Sequence, residues 1–194
     1  MKRTAVIFAL FWELRPFARK MGVPFFKAMS RHIILEDRNI ALVRCGMGKK
    51  KASQAAERII KDFHPEVIVS AGFCGALVEG LKVGDIVTSD LSDGKIFCSS
   101  RPLTGYEDKI AAHREHKAVA VDMESEGISV VAGKHGIPFV AIKVVSDGLN
   151  DEIPGPLAVL ASPSKLIRLK HSAAAASESL SEFLFDYINK GDSL

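Results

Sequence analysis

Two stretches of this chain place carboxylates where they can do chemistry: Val121-Asp122-Met123-Glu124-Ser125-Glu126-Gly127 and, further on, Pro138-Phe139-Val140-Ala141-Ile142-Lys143-Val144-Val145-Ser146-Asp147-Gly148. Each sets an acid at the carboxyl end of an apolar run, the edge at which open α/β sheets bind ligands. Two acids at one edge suit cleavage of a bond to a sugar, where one protonates a leaving group and the other supports positive charge on the ring. Asp147 should project from the end of its strand with Ser146 beside it. To serve as a general acid near neutral pH it needs a bias of roughly 4 kcal/mol toward the protonated form, from a closed apolar pocket or a nearby carboxylate. Capping of the next turn is the alternative.

Glu124 follows Asp122, which reads as the N-cap of a helix beginning at Met123. From that junction its carboxylate can accept two charge-assisted hydrogen bonds from a sugar diol, or simply complement the helix dipole. Glu13, in Phe11-Trp12-Glu13-Leu14-Arg15, ends the first apolar run and opens onto the same edge. It is a candidate for holding a water nucleophile, with a dipole role as the alternative. Cys45-Gly46-Met47-Gly48 and Ala71-Gly72-Phe73-Cys74-Gly75-Ala76 read as Gly-rich turns whose N–H groups can approach a ligand or anion, although tight packing explains them as well. His113-Arg114-Glu115-His116 lacks the His-Glu-x-x-His spacing of a metal site and reads as a solvated helix. No metal is expected.

The elements that must position these residues alternate. Strand signals run over 4–10, 40–45, 66–71, 85–89, 95–98, 118–121 and 139–145, mostly as continuous apolar runs that suit strands buried on both faces. Helical periodicity covers 50–63, with Ala52, Ala55, Ala56, Ile59, Ile60 and Phe63 on one stripe, and 123–135. Ser162-Pro163-Ser164 reads as the start of a helix reaching Asn189, carrying Leu166, Ile167, Leu169, Leu180, Phe183, Leu184, Tyr187 and Ile188 and packing back on the sheet. Asp151 to Pro163 reads as a loop near Asp147, of the kind that closes over ligands. The class is α/β.

With 194 residues, 47% hydrophobic content and a net charge of +3, the chain is expected to form a single domain over 1–194. Its one dense basic run, Lys49-Lys50-Lys51, is too short to argue for nucleic acid. Cys45, Cys74 and Cys98 are odd in number and sit in apolar or Gly-rich settings, so free thiols in a cytoplasmic location are expected. Lys2-Arg3 and the apolar run to Trp12 mimic a secretory leader, but Glu13 and Arg15 follow without a cleavage site, and the run reads as the first buried strand. No apolar stretch reaches the length of an integral membrane segment.

Taken together, Ala9-Leu10-Phe11-Trp12-Glu13, Gly46-Met47-Gly48-Lys49, Ser70 to Leu77, Leu81-Lys82-Val83-Gly84-Asp85-Ile86-Val87, Val121 to Ser125 and Val145-Ser146-Asp147 resemble the purine nucleoside phosphorylase and nucleosidase superfamily. The likeness is greatest to its methylthioadenosine/S-adenosylhomocysteine nucleosidase branch and to the hopanoid-associated phosphorylases. It implies a phosphorylase/hydrolase-like three-layer αβα sandwich with a central mixed sheet, shortened here by loss of a segment near residues 90–94. It also implies that Glu124 binds the ribose hydroxyls beside Met123, that Asp147 with Ser146 serves N7 of a purine, and that Glu13 orients the attacking water.

Gly72 and Phe73 would face the substrate, Phe73 standing where relatives tend to carry a hydroxyl. Arg101, in Ser99-Ser100-Arg101-Pro102-Leu103, stands where they offer residues to the base and can stack through its guanidinium plane. Lys143, at a frequent Arg position, and Gly46 make a candidate anion or water site. The activity implied is hydrolysis of the N-glycosidic bond of an adenosine-type purine nucleoside. Phosphorolysis of a purine nucleoside or adenosyl-hopanoid conjugate, with inorganic phosphate as co-substrate, is an alternative, and non-catalytic nucleoside binding is another. No cofactor is implied, and relatives suggest a homo-oligomer.

Overall fold

Short runs of Val, Ile and Ala build a mixed sheet, because such residues bury equally well on both faces of a covered strand. The computed structural model describes residues 2–89, 95–152 and 163–189, the side chains of 163–172 excepted. Among them the strands are β1 (Thr4–Phe8), β2 (His32–Leu35), β3 (Ile40–Arg44), β4 (Val67–Ala76), β5 (Ile86–Thr88), β6 (Lys95–Cys98), β7 (Ala118–Asp122) and β8 (Phe139–Asp147). The helices are α1 (Phe11–Lys20), α2 (Phe25–Ala28), α3 (Lys49–Phe63), α4 (Tyr106–His116), α5 (Ser125–Lys134) and α6 (Pro163–Asn189).

The hydrogen-bonded path runs β2-β3-β1-β4-β7-β6, with β8 paired to β4 and β5 to β8. β4 is parallel to β1 and β8 and antiparallel to β7, so the sheet is mixed, as the resemblance implied. Alternation along β1 sorts the two layers. Val6 and Phe8 pack with α1 residues Leu14 and Phe17 and α6 residues Ala176, Leu180 and Leu184, while Ala5 and Ile7 pack with Ala52, Ala56, Ile59 and Phe63 of α3 and Ile128 and Val131 of α5. Helices on both faces give the three-layer sandwich that the resemblance implied. The three cysteines are free and buried.

Several expectations need correction. The first strand ends at Phe8, and the rest of the apolar run, Phe11 and Trp12 included, opens α1 instead. Residues Gly72 to Ala76 are not a turn but the second half of β4. The fifth helix starts at Ser125, two residues later than expected, with Asp122 still the last residue of β7. Asp122 nevertheless does the work of a cap, accepting from the Ser125 N–H at 2.9 Å and from its hydroxyl at 2.6 Å. Residues 153–162 of the expected Asp151 to Pro163 loop, the 90–94 connection and the side chains of Leu166, Ile167 and Leu169 lie outside the described residues.

Candidate active site

β4 is the floor of the site, and its two glycines explain why it takes this form. Gly72 has φ +150°, and a Cβ there would lie 2.8 Å from Oε1 of Glu13; a Cβ on Gly75 would lie 2.9 Å from Oδ2 of Asp147. Glycine at these positions lets two carboxylates lie directly on the strand. They come from opposite neighbours, Glu13 from the first turn of α1 after β1 and Asp147 from the end of β8. A register shift between Cys74 and Gly75 leaves Ser146 unpaired in the ladder, as bulges beside functional residues often do. The Ser146 hydroxyl, with one proton to give, lies 2.8 Å from Oδ1 of Asp147 and 3.2 Å from the Cys74 carbonyl, the shorter contact being the one to the carboxylate.

Glu13 is buried and clamped: its Oε2 accepts the Leu10 N–H at 2.7 Å and its Oε1 accepts the Phe73 N–H at 2.9 Å. Burial outweighs both bonds and the pull of Lys143, raising its pKa from 4.5 to about 7. Glu124, also buried, accepts the Gly48 N–H at 2.7 Å. Burial raises its pKa as well, with Lys143 and the Gly48 bond opposing. Met123 is half-buried between β7 and α5.

Beneath these acids lies Lys143, fully buried, with Nζ 2.9 Å from Oδ2 of Asp122. Burial disfavours its charge, but Asp122, Glu124 and Glu13 together hold the proton and leave its pKa above the usual lysine value. The same pairing, aided by Ser125, holds the Asp122 carboxyl below its usual range although burial pushes the other way. Lys143 therefore serves a cluster of carboxylates and is not the open anion grip the sequence suggested. In the Gly46 turn the Gly46 N–H donates to the Ala9 carbonyl at 2.9 Å and that of Gly48 to Glu124, so neither is open to an anion in this arrangement.

The setting of Asp147 also differs from the apolar pocket anticipated. Lys109, on α4 and with no exposed surface, places Nζ 2.7 Å from Oδ2 of Asp147, 2.6 Å from the Gly148 carbonyl and 3.0 Å from that of Asp151. All three ammonium donors are used, and sequence reasoning alone misses this residue. Its one sequence signal is spacing: Lys109 and Ala112 share the buried face of α4. Arg101 is exposed, its guanidinium donating to both oxygens of Asp108 at 3.0 Å. His113 bonds the Ala118 carbonyl and His116 stacks on Phe97, uses that are structural. A cavity of about 720 Å³ opens elsewhere, beside β6 and the start of α5, and its lining includes none of Glu13, Glu124 and Asp147.

Comparison with known proteins places the chain in a family. A family model described as the phosphorylase superfamily matches residues 3–91 and 88–188. The 5′-methylthioadenosine/S-adenosylhomocysteine nucleosidase of Staphylococcus aureus is 27% identical over 166 residues, covering 61% of this chain and 73% of that protein. Among solved structures, a Helicobacter pylori MTAN mutant with 5′-methylthioadenosine in its active site is similar with a TM-score of 0.76 at 15% identity, covering 98% of this chain and 99% of that one. Futalosine hydrolase of Helicobacter pylori follows, at a TM-score of 0.75 and 16% identity, covering 96% and 97%.

Proposed function

This chain belongs to the phosphorylase superfamily, and from that premise we propose that it hydrolyses the N-glycosidic bond of an adenosine-type purine nucleoside, with 5′-methylthioadenosine and S-adenosylhomocysteine as the leading candidates. The observation that carries the reading is the carboxylate pair Glu13 and Glu124, both buried at the sheet edge, with Asp147 packed against Gly75 of β4, three residues beyond the Gly72 that Glu13 packs against. In the proposed reaction Glu124, oriented by the Gly48 N–H, accepts the ribose hydroxyls beside Met123. Glu13 takes a proton from water as the water oxygen bonds to the anomeric carbon. The bond from that carbon to the purine nitrogen breaks, and its electron pair leaves on the base. Asp147, held by Lys109 and Ser146, hydrogen-bonds N7 and relays to it the compensating proton from the Lys109 ammonium. Carboxylates below the ring stabilise its developing positive charge.

Water is favoured over phosphate as acceptor because the N–H groups of Gly46, Gly48 and Phe73 already serve a carbonyl and two carboxylates. The reaction so written needs no cofactor. We further propose a homo-oligomer in the cytoplasm, in keeping with three free thiols; light scattering that gives a strict monomer overturns the assembly. The functional test is chromatographic detection of adenine released from adenosine, methylthioadenosine and S-adenosylhomocysteine, with and without phosphate, using Asp147→Asn as control. Release without phosphate, lost in the variant, supports hydrolysis. Release that requires phosphate and yields a ribose 1-phosphate establishes phosphorolysis, and stoichiometric binding without release establishes a binding protein.

A further inference from the structure

The surface around the start of α1 has no part in the chemistry above, yet it is the most apolar exposed region described. Trp12 is 65% exposed, Phe25 57%, Phe26 78% and Met29 57%. They form one face: the Phe11 and Trp12 rings lie 5.7 Å apart edge-on, those of Phe11 and Phe25 6.0 Å apart, and Phe26 and Met29 follow directly on α2. Several contiguous large apolar side chains left in water mark a contact surface.

Charge indicates what it contacts. Between Phe11 and Arg31 the exposed charges are Arg15, Arg19, Lys20, Lys27 and Arg31, all positive, and the one carboxylate, Glu13, is buried in the site. Arg19 pairs with Glu178, but Arg15 lies over the Phe25 ring at 5.1 Å and Arg44 over Phe11 at 5.7 Å, so cations sit among the rings themselves. A two-fold contact with a second copy would set this excess of positive charge against itself. The headgroup region of an anionic bilayer accepts both components, aromatic rings at the interfacial level and Lys or Arg on lipid phosphates.

We propose that this face docks the protein reversibly on an anionic lipid bilayer, with Trp12, Phe25 and Phe26 entering the headgroup layer and Arg15, Lys27 and Arg31 pairing with lipid phosphates. Trp12 immediately precedes Glu13, so the docked face borders the site. The proposal does not depend on the glycosidic reaction.

Trp12 is the single tryptophan of the chain, so the intact protein reports on its own docking. Its emission is followed with vesicles of phosphatidylcholine containing roughly one quarter phosphatidylglycerol and with vesicles of phosphatidylcholine alone, alongside flotation. A blue shift and co-flotation with the anionic vesicles, reversed by salt and absent with the neutral ones, are expected. Arg15→Gln and Lys27→Gln should each weaken partitioning about fivefold, and Phe26→Ser should abolish it while base release and unfolding midpoint stay unchanged. Unaltered emission with both vesicles overturns the proposal, as does equal partitioning of the charge variants. A Trp12 emission that is blue-shifted without lipid and reverts on dilution also overturns it, and assigns the face to a second copy.

Discussion

Replacing Glu13 with glutamine keeps the shape of a buried side chain and removes its ability to ionise. Burial raises the Glu13 pKa from 4.5 to about 7. The folded protein therefore holds this proton more tightly than the unfolded chain does, and between those two values the native state carries more of it. Stability falls as pH rises through that window. Above it the cost of burying the ionised carboxylate is about 3 kcal/mol, since each tenfold gain in proton affinity corresponds to about 1.4 kcal/mol. The glutamine protein lacks this slope but carries a fixed cost. The carboxylate accepts from both Leu10 and Phe73, whereas an amide has one acceptor oxygen, so one N–H loses its partner at roughly 1–3 kcal/mol, independent of pH.

The difference in unfolding free energy between the two proteins should therefore move by about 3 kcal/mol in favour of Glu13→Gln on going from roughly pH 4 to roughly pH 8. Urea denaturation at the two ends measures it. A difference that stays constant refutes the assignment of a native-state proton to Glu13. Turnover runs the opposite way: base release by the unaltered protein should rise as pH passes through about 7, where the carboxylate becomes able to take a proton from water. The glutamine protein should be slower by about 10²-fold or more and flat through that range.

Lys109→Met leaves the Asp147 carboxylate and the Gly148 and Asp151 carbonyls without their donor, and should cost about 3–5 kcal/mol in urea unfolding; adding Asp147→Asn should recover part of that stability without restoring base release, a coupling read from a double-mutant cycle. Gly72→Ala sets a Cβ 2.8 Å from Oε1 of Glu13 at a backbone angle unfavourable to alanine, so base release should drop at least about tenfold for a stability loss of about 1–3 kcal/mol. Gly127→Ala presses a Cβ to within 2.5 Å of the Lys49 carbonyl and 2.9 Å of the Ser53 hydroxyl, where α5 meets α3, and should lower the unfolding free energy by about 1–3 kcal/mol with little effect on the pH dependence of turnover.

The central strands are legible in the sequence because they are covered on both faces and must be largely apolar; the strand signals over 40–45 and 139–145 begin where β3 and β8 begin. β2 is not, since His32-Ile33-Ile34-Leu35 is a four-residue strand at the end of the sheet with mixed burial and no distinguishing period. The start of α1 is hidden because Phe11 and Trp12 prolong the apolar run of β1 and no Ser, Thr, Asp or Asn marks the boundary. The side chain that closes it is Glu13, reaching back to the Leu10 N–H. Gly72 and Gly75 suggest a turn, since glycine weakens a strand; here they admit the Glu13 and Asp147 carboxylates while the ladder continues. The acids themselves are readable from their place after apolar runs. The two buried lysines are not, because the role of Lys109 exists only through Asp147, and that of Lys143 only through Asp122, pairings that the three-dimensional fold creates.

Those pairings also bear on the choice of acceptor. Of the four carboxylates in the region, Asp122 is in direct contact with Lys143 and Asp147 with Lys109, while Glu13 and Glu124 feel Lys143 only across space and take their hydrogen bonds from backbone N–H groups. A nucleoside losing its base becomes electron-poor on the sugar, and two carboxylates without contact partners stabilise that charge. Inorganic phosphate would meet the same two acids, with the N–H groups of Gly46, Gly48 and Phe73 already donated and both buried ammonium groups in use. Its entry would set like charge against like in a site shielded from water, where repulsion is least screened. Base release should accordingly be insensitive to added phosphate, and a rate that climbs with phosphate to saturation would mean that a cation or backbone donor moves into the site when the nucleoside binds.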